Sequence, residues 1–211
     1  MANFSSKINT IIFDIGGVLV DLDYPACMDA FKAIGFHGAD KLISCYHPSG
    51  IVGELERGEI SKEQLCDKMR EMAGVDMTNE QITEAYGALV VGIPVEKLRL
   101  MAKLKSAGYR ILALSNINEM VLPRVLSFFE ADGKCAADYF DEMYLSFQMG
   151  SMKPERKIYE LLISDSGIEP NEAFFIDDSE KNIEVGRDFG LNVYLAEAKE
   201  DLNPVFEEFF Q

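Results

Sequence analysis

Short apolar runs that stop on polar residues recur along this chain, with helical patterns between them. That alternation restricts the fold more than any other feature. Ile11-Ile12-Phe13 leads straight into Asp14 and then Gly16-Gly17, which reads as a buried strand ending in a tight loop. Tyr109 to Leu114 ends in Ser115-Asn116, Met143 to Phe147 is a weaker strand, Ala173 to Ile176 ends in Asp177-Asp178, and Asn192 to Leu195 follows. Leu98, Met101 and Ala102 share one helical face, stopped by Gly108, and Ile158, Leu161 and Leu162 repeat the pattern up to Gly167. A third helix is predicted from about Ser179 to Phe189, stopped by Gly190. Strands alternating with helices predict an α/β fold, a doubly wound, Rossmann-like parallel sheet covered on both faces.

Residues 24–94 break the alternation. Cys27, Ala30, Phe31 and Ile34 have helical spacing, and Ser61-Lys62-Glu63-Gln64 and Thr78-Asn79-Glu80-Gln81 are capping-box patterns. Ile82, Ala85, Tyr86 and Leu89 follow the second box at helical intervals, and no strand is evident. The expected organisation is therefore a core domain of residues 1–23 and 95–211, with a small all-helical cap domain, residues 24–94, inserted after the first strand. An insertion there sits over the carboxyl ends of the strands, where open α/β sheets bind ligands.

The chain's 211 residues, 48% of them hydrophobic, suffice for such a core and insertion. Its net charge of −16 repels polyanions, and the closest basic grouping, Lys153, Arg156 and Lys157, is too short for a nucleic-acid stripe. An anionic substrate must then meet a local cation, because the global field opposes it. Cys27, Cys45, Cys66 and Cys135 form no paired motif, and His37 and His47 are too few for a histidine metal cluster. Free thiols, a polar N-terminus and no apolar run of membrane-spanning length point to the cytoplasm and to no membrane partner. Oligomeric state leaves no mark in the sequence.

In a parallel sheet, Asp14, Ser115-Asn116 and Asp177-Asp178 lie on one edge, joined by Lys153 from the loop before a helix. Each alone is ordinary: an Asp after a strand commonly caps, Ser-Asn commonly turns, and a lysine before proline is commonly a surface charge. Together they place three carboxylates in one crevice, where like charges raise one another's pKa. One lysine does not compensate them; a hard divalent cation does, and Mg²⁺ is the usual partner of carboxylates and substrate phosphate. Ser115, Asn116 and Lys153 supply donors suited to the oxygens of a transferring phosphoryl group.

These residues resemble the motifs of the haloacid dehalogenase (HAD) superfamily. Phe13-Asp14-Ile15-Gly16-Gly17-Val18-Leu19 resembles its first motif, Leu114-Ser115-Asn116 the second and Lys153-Pro154 the third. Phe175-Ile176-Asp177-Asp178 with Asn182-Ile183 resembles the fourth. The insertion resembles the helical cap of the superfamily's first subclass. Glu56-Arg57-Gly58-Glu59-Ile60-Ser61 and Ser115-Asn116-Ile117-Asn118 resemble the bacterial alpha-glucose-1-phosphate phosphatase branch. The resemblance implies a phosphatase acting on a small phosphorylated metabolite such as a sugar phosphate. Asp14 would be the nucleophile, forming an aspartyl-phosphate. Mg²⁺ would be held by Asp14, the Gly16 carbonyl and Asp178, with Asp177 in or near the shell. Ser115, Asn116 and Lys153 would grip the phosphate while the cap closes over the substrate.

One position departs from the family pattern. Two residues after the nucleophile, HAD phosphatases usually carry a second Asp that protonates the leaving alcohol and activates water; here it is Gly16. Asp21, Asp23, His47, Glu54, Glu56 and Arg57 are the candidates to replace it. Without an acid there, esters with good leaving groups should react disproportionately well, and Gly16→Asp should raise turnover if the missing carboxylate is limiting. The rival readings are a sugar phosphomutase, disfavoured by Gly16, and a non-catalytic protein on the same fold. A metal-free dehalogenase is disfavoured by Asp177-Asp178, and a response-regulator receiver by the position of its acidic pair.

Overall fold

The computed structural model describes residues 8–43, 50–130 and 133–210; Cys45 and His47 lie outside the described residues. In chain order its strands are β1 (Thr10–Phe13), β2 (Asp21–Leu22), β3 (Val90–Gly92), β4 (Arg110–Ser115), β5 (Glu142–Leu145), β6 (Ala173–Asp177) and β7 (Asn192–Leu195). Its helices are α1 (Tyr24–Ala33), α2 (Gly50–Glu56), α3 (Lys62–Ala73), α4 (Asn79–Gly87), α5 (Val95–Ser106), α6 (Leu122–Ser127), α7 (Ala136–Tyr139), α8 (Ser146–Met149), α9 (Arg156–Ser166) and α10 (Glu180–Asp188).

β1 lies at the centre of a parallel sheet of order β5-β4-β1-β6-β7. The chain winds outward from β1 through β4 to β5, then crosses to the other side through β6 and β7. The carboxyl end of β1 is thus where the winding reverses, the place open α/β sheets use for ligands. β1 is buried along its whole length, so its side chains alternate between two apolar layers. Ile11 and Phe13, with Ile111, Ala113, Phe174 and Ile176, pack with Leu98, Met101 and Leu104 of α5 and with Phe206 from the 3₁₀ helix Asn203–Phe210. Ile12, Leu112, Leu114 and Phe175 pack on the opposite face with Ile158, Tyr159 and Leu162 of α9 and Ile183 of α10. Burying each such large apolar side chain contributes roughly 1.5–3 kcal/mol. Both faces are therefore covered, as the alternation of runs predicts.

The inserted helices start where their sequence says they should. Ser61 and Gln64 form a reciprocal capping box on α3, and Thr78 and Gln81 form one on α4. Asp23 caps α1 by accepting the Ala26 N–H at 2.9 Å. The expectation of no strand between residues 24 and 94 is corrected at one place, because Val90–Gly92 pairs antiparallel with Asp21–Leu22. This short ribbon is the neck through which the insertion leaves and rejoins the sheet. The insertion shares an apolar cluster with one face of the sheet. Phe31, Leu55, Leu65, Met69, Ile82 and Tyr86 are contiguous through Val20, Val90, Ile117 and Val121 with Phe13 and Ile176.

Candidate active site

β1 delivers Asp14 to the switch point, and the Asp14 N–H donates to the Ile176 carbonyl at 2.9 Å, extending the ladder by one residue. The residue is 7% exposed. Its Oδ1 accepts the Ile15 N–H at 2.7 Å and the Lys153 ammonium at 2.9 Å, whereas Oδ2 accepts no hydrogen bond from the described residues. One oxygen is fixed and the other is left for an incoming group. The loop beyond turns sharply, with Gly17 N donating to Val20 O and Val20 N to Ile15 O. Gly17 has φ +81°, and a Cβ there would stand 2.2 Å from Asp178 Oδ2. Only glycine lets the first loop and the Asp178 carboxylate approach this closely.

Lys153 is the hub. Its side chain is almost fully buried, and its Nζ lies 2.9 Å from Asp14 Oδ1 and 2.7 Å from Asp177 Oδ2. Asp177 Oδ1 accepts the Ser179 N–H at 2.8 Å and the Asn182 amide at 2.9 Å, so both its oxygens are engaged. The Asn116 side chain forms a reciprocal pair with the Lys153 backbone: its Nδ2 donates to Lys153 O and its Oδ1 accepts Lys153 N–H, each at 2.8 Å. It seats the lysine loop with one amide N–H and its carbonyl oxygen, leaving one amide N–H for any other donation. Ser115, buried at the end of β4, faces the same crevice.

Three carboxylates surround a single ammonium. Burial is the strongest influence on Asp14; Lys153 opposes it, while Asp177 and Asp178 add repulsion, and the pKa is pushed up to about 7. Burial and then Asp177 also raise Asp178. Burial disfavours the Lys153 ammonium, but Asp14 and Asp177 outweigh it and hold its pKa above the ordinary lysine value. The crevice is short of positive charge. Asp14, Asp177 and Asp178 each offer an oxygen, all within 4.8 Å of one another, and the carbonyl of Gly16, which lines the same cavity, accepts no hydrogen bond among the described residues. A donor set made only of oxygens fits a hard cation such as Mg²⁺.

Above the crevice lies a cavity of about 260 Å³ lined at its base by Asp14, Gly16, Ser115, Lys153 and Asp178. Its roof comes from the insertion and the neck, with Tyr24, Glu56, Tyr86 and Val90. Polar ties cross between the two: Arg57 Nε to Glu155 Oε1 at 2.8 Å, Lys62 N to Glu119 Oε1 at 2.6 Å, and Asn118 Nδ2 to the Tyr86 hydroxyl at 3.3 Å. Sequence reasoning passed over Glu155 and Lys97. Lys97 donates to the Val18 carbonyl and holds the first loop from beneath, though on a helix it reads as a surface lysine. Only tertiary burial reveals either role.

A family model for haloacid dehalogenase-like hydrolases matches residues 8–190. D-ribitol-5-phosphate phosphatase from Bacteroides thetaiotaomicron is 34% identical over 191 residues, which is 90% of this chain and 92% of that protein. The structure of a HAD family enzyme from the same organism, in complex with magnesium and inorganic phosphate, superposes with a TM-score of 0.90 at 36% identity, covering 95% of this chain and 100% of the other. A predicted HAD-like family hydrolase from Porphyromonas gingivalis gives a TM-score of 0.90 at 31% identity, covering 98% and 99% of the two chains.

Proposed function

Because this chain belongs to the haloacid dehalogenase-like hydrolases and is a phosphoric monoester hydrolase of that family, we propose that it cleaves the phosphate ester of a small polyol or sugar through a phosphorylated Asp14. The observation that carries the reading is the asymmetry of Asp14, which lines the cavity with its Oδ1 held by Ile15 N–H and Lys153 while Oδ2 accepts no hydrogen bond from the described residues. Oδ2 attacks phosphorus, and water then releases the phosphoryl group. Lys153 and Ser115 bear on the phosphoryl oxygens as charge moves onto the leaving group. Asp177 keeps Lys153 in place from behind, bonded on its other oxygen to Ser179 and Asn182. Mg²⁺ is the cofactor this donor set supports; held by Asp14, Asp178 and the Gly16 carbonyl, with Asp177 beside them, it supplies positive charge for the phosphate oxygens.

The substrate class rests on the cavity and on the similarity to a ribitol-phosphate phosphatase. A cavity of about 260 Å³ suits a small metabolite, being near the lower end of ordinary ligand pockets. The test is a panel of phosphorylated polyols, sugars and small acids assayed with Mg²⁺ beside Asp14→Asn. Turnover on polyol or sugar phosphates should appear with Mg²⁺, vanish with EDTA and vanish in the variant. Turnover that persists in Asp14→Asn removes the nucleophile assignment.

A further inference from the structure

We propose that Glu56, reaching down from the cap, is the general acid and base of this phosphatase, in place of the carboxylate that Gly16 lacks. The inference rests on the Asp14 reading above. Glu56 closes α2 and lines the same cavity as Asp14, Ser115 and Lys153. Its Oε2 is out of contact with solvent and has no hydrogen-bond partner among the described residues. A buried carboxyl oxygen left unpaired is costly, which gives it a reason to await a ligand.

Its neighbours pin it there. Arg57 pairs with Glu155 at 2.8 Å, and Glu155 also accepts the Ser151 hydroxyl at 2.8 Å and the Met152 N–H at 3.3 Å, within the loop that carries Lys153. Gly58 has φ +67°, and a Cβ there would stand 2.2 Å from the Phe147 carbonyl oxygen, so the cap backbone rests directly on the core. The sequence Glu56-Arg57-Gly58 thus presents one carboxyl to the cavity and uses its next two residues to dock it.

Among the other described candidates, Asp23 caps α1, Glu54 pairs with Lys68 and Arg57 pairs with Glu155. Asp21 Oδ1 also has no hydrogen-bond partner among the described residues, but it stands 3.9 Å from the Lys97 ammonium, an ion pair that Glu56 lacks among them. Burial, with Asp14 adding to it and Arg57 and Lys153 opposing, pushes Glu56 up to about 8, so the carboxyl holds its proton at neutral pH, as an acid must. In the first step Asp14 Oδ2 bonds to phosphorus, the bond from phosphorus to the ester oxygen breaks, and the Glu56 proton passes to that oxygen, giving the free alcohol. In the second step water attacks the phosphoaspartate and gives its proton to Glu56. The Asp14–phosphorus bond breaks, leaving orthophosphate, the Asp14 carboxylate and a protonated Glu56.

The test compares ribitol 5-phosphate, or the best alkyl phosphate of the panel, with 4-nitrophenyl phosphate in Mg²⁺-loaded wild type and Glu56→Gln. The variant should lose about 10²–10⁴-fold in kcat/KM on the alkyl ester. On the aryl ester, whose leaving group needs no proton, kcat/KM should hold. Turnover of that ester should become a stoichiometric nitrophenolate burst followed by a slow phase, because the phosphoenzyme lacks its base. Glu56→Gln is isosteric and keeps the site neutral, so its melting temperature should stay close to that of wild type. Equal losses on both esters without a burst, no loss on either, or the same selective loss in His47→Asn with Glu56→Gln unaffected, would each overturn the assignment. Asp14→Asn should abolish burst and turnover with both esters; activity surviving there overturns the nucleophile instead.

Discussion

Gly16 is where the chain departs from its family's usual chemistry, and its surroundings predict what restoring a carboxylate would do. A Cβ at this position meets Leu22 Cδ1 at 3.6 Å, an ordinary contact, so Gly16→Asp is sterically admissible at its first carbon. With Glu56 already supplying the proton, Gly16→Asp alone should leave turnover of alkyl phosphates unchanged or lower; a several-fold rise would mean that acid–base help limits the wild type. In steady-state assays this separates a missing group from a relocated one. At the same scale, Asp14, Ser115, Lys153 and Asp177-Asp178 were legible because each terminates an apolar run or opens a helix. Glu56 was legible only as one of several charged residues in the insertion. What distinguishes it, a buried carboxyl oxygen with neither a hydrogen bond nor an ion pair among the described residues, is created by tertiary packing and leaves no mark on local sequence.

The elements themselves divide along the same line. α3 and α4 could be read from Ser61/Gln64 and Thr78/Gln81, because a capping box satisfies helix-end N–H groups locally. The neck strand Val90–Gly92 could not, since three residues carry no periodicity and become a strand only by pairing with Asp21–Leu22. The short α2 and α8 are equally silent, yet together they make the joint between cap and core. Gly58, just beyond α2, rests against the Phe147 carbonyl of α8. Gly58→Ala should therefore destabilise by more than about 1 kcal/mol and also reduce kcat/KM, because the added methyl displaces Glu56 from the crevice. Ser61→Ala, costing about 1 kcal/mol through a lost cap, should spare kcat/KM. Denaturant titration and kinetics on the two variants check the contrast.

For the whole molecule, the concentrated negative charge makes stability depend on pH and on metal together. Asp14 rises from 3.8 to about 7 and Glu56 from 4.5 to about 8 on folding, so the folded state binds more protons than the unfolded one between about pH 4 and 8. Stability from these two groups is therefore fully present below their unfolded values and is lost as pH climbs through the folded ones. Without metal, the melting temperature should decline between pH 6 and 8. Mg²⁺, which replaces the proton at the carboxylates, should raise it more at pH 8 than at pH 6. Thermal melts in EDTA and in MgCl₂ at the two values check the sign; a Mg²⁺ effect larger at pH 6 would contradict it. The same excess of acid, −16 overall, opposes an incoming anion, so the crevice would have to draw one in through Lys153 and the cation its carboxylates call for.

Glu155 has a part to play in time as well as in space. One of its oxygens holds Arg57 of the cap, and the other holds Ser151 and Met152 of the loop that presents Lys153. Admission and readiness are thereby tied to one side chain. Were the cap to lift, Arg57 would leave Glu155 or pull on the lysine loop, so an open gate would also be an unarmed one. By reciprocity, a phosphate that tightened Lys153 would tighten the gate behind it.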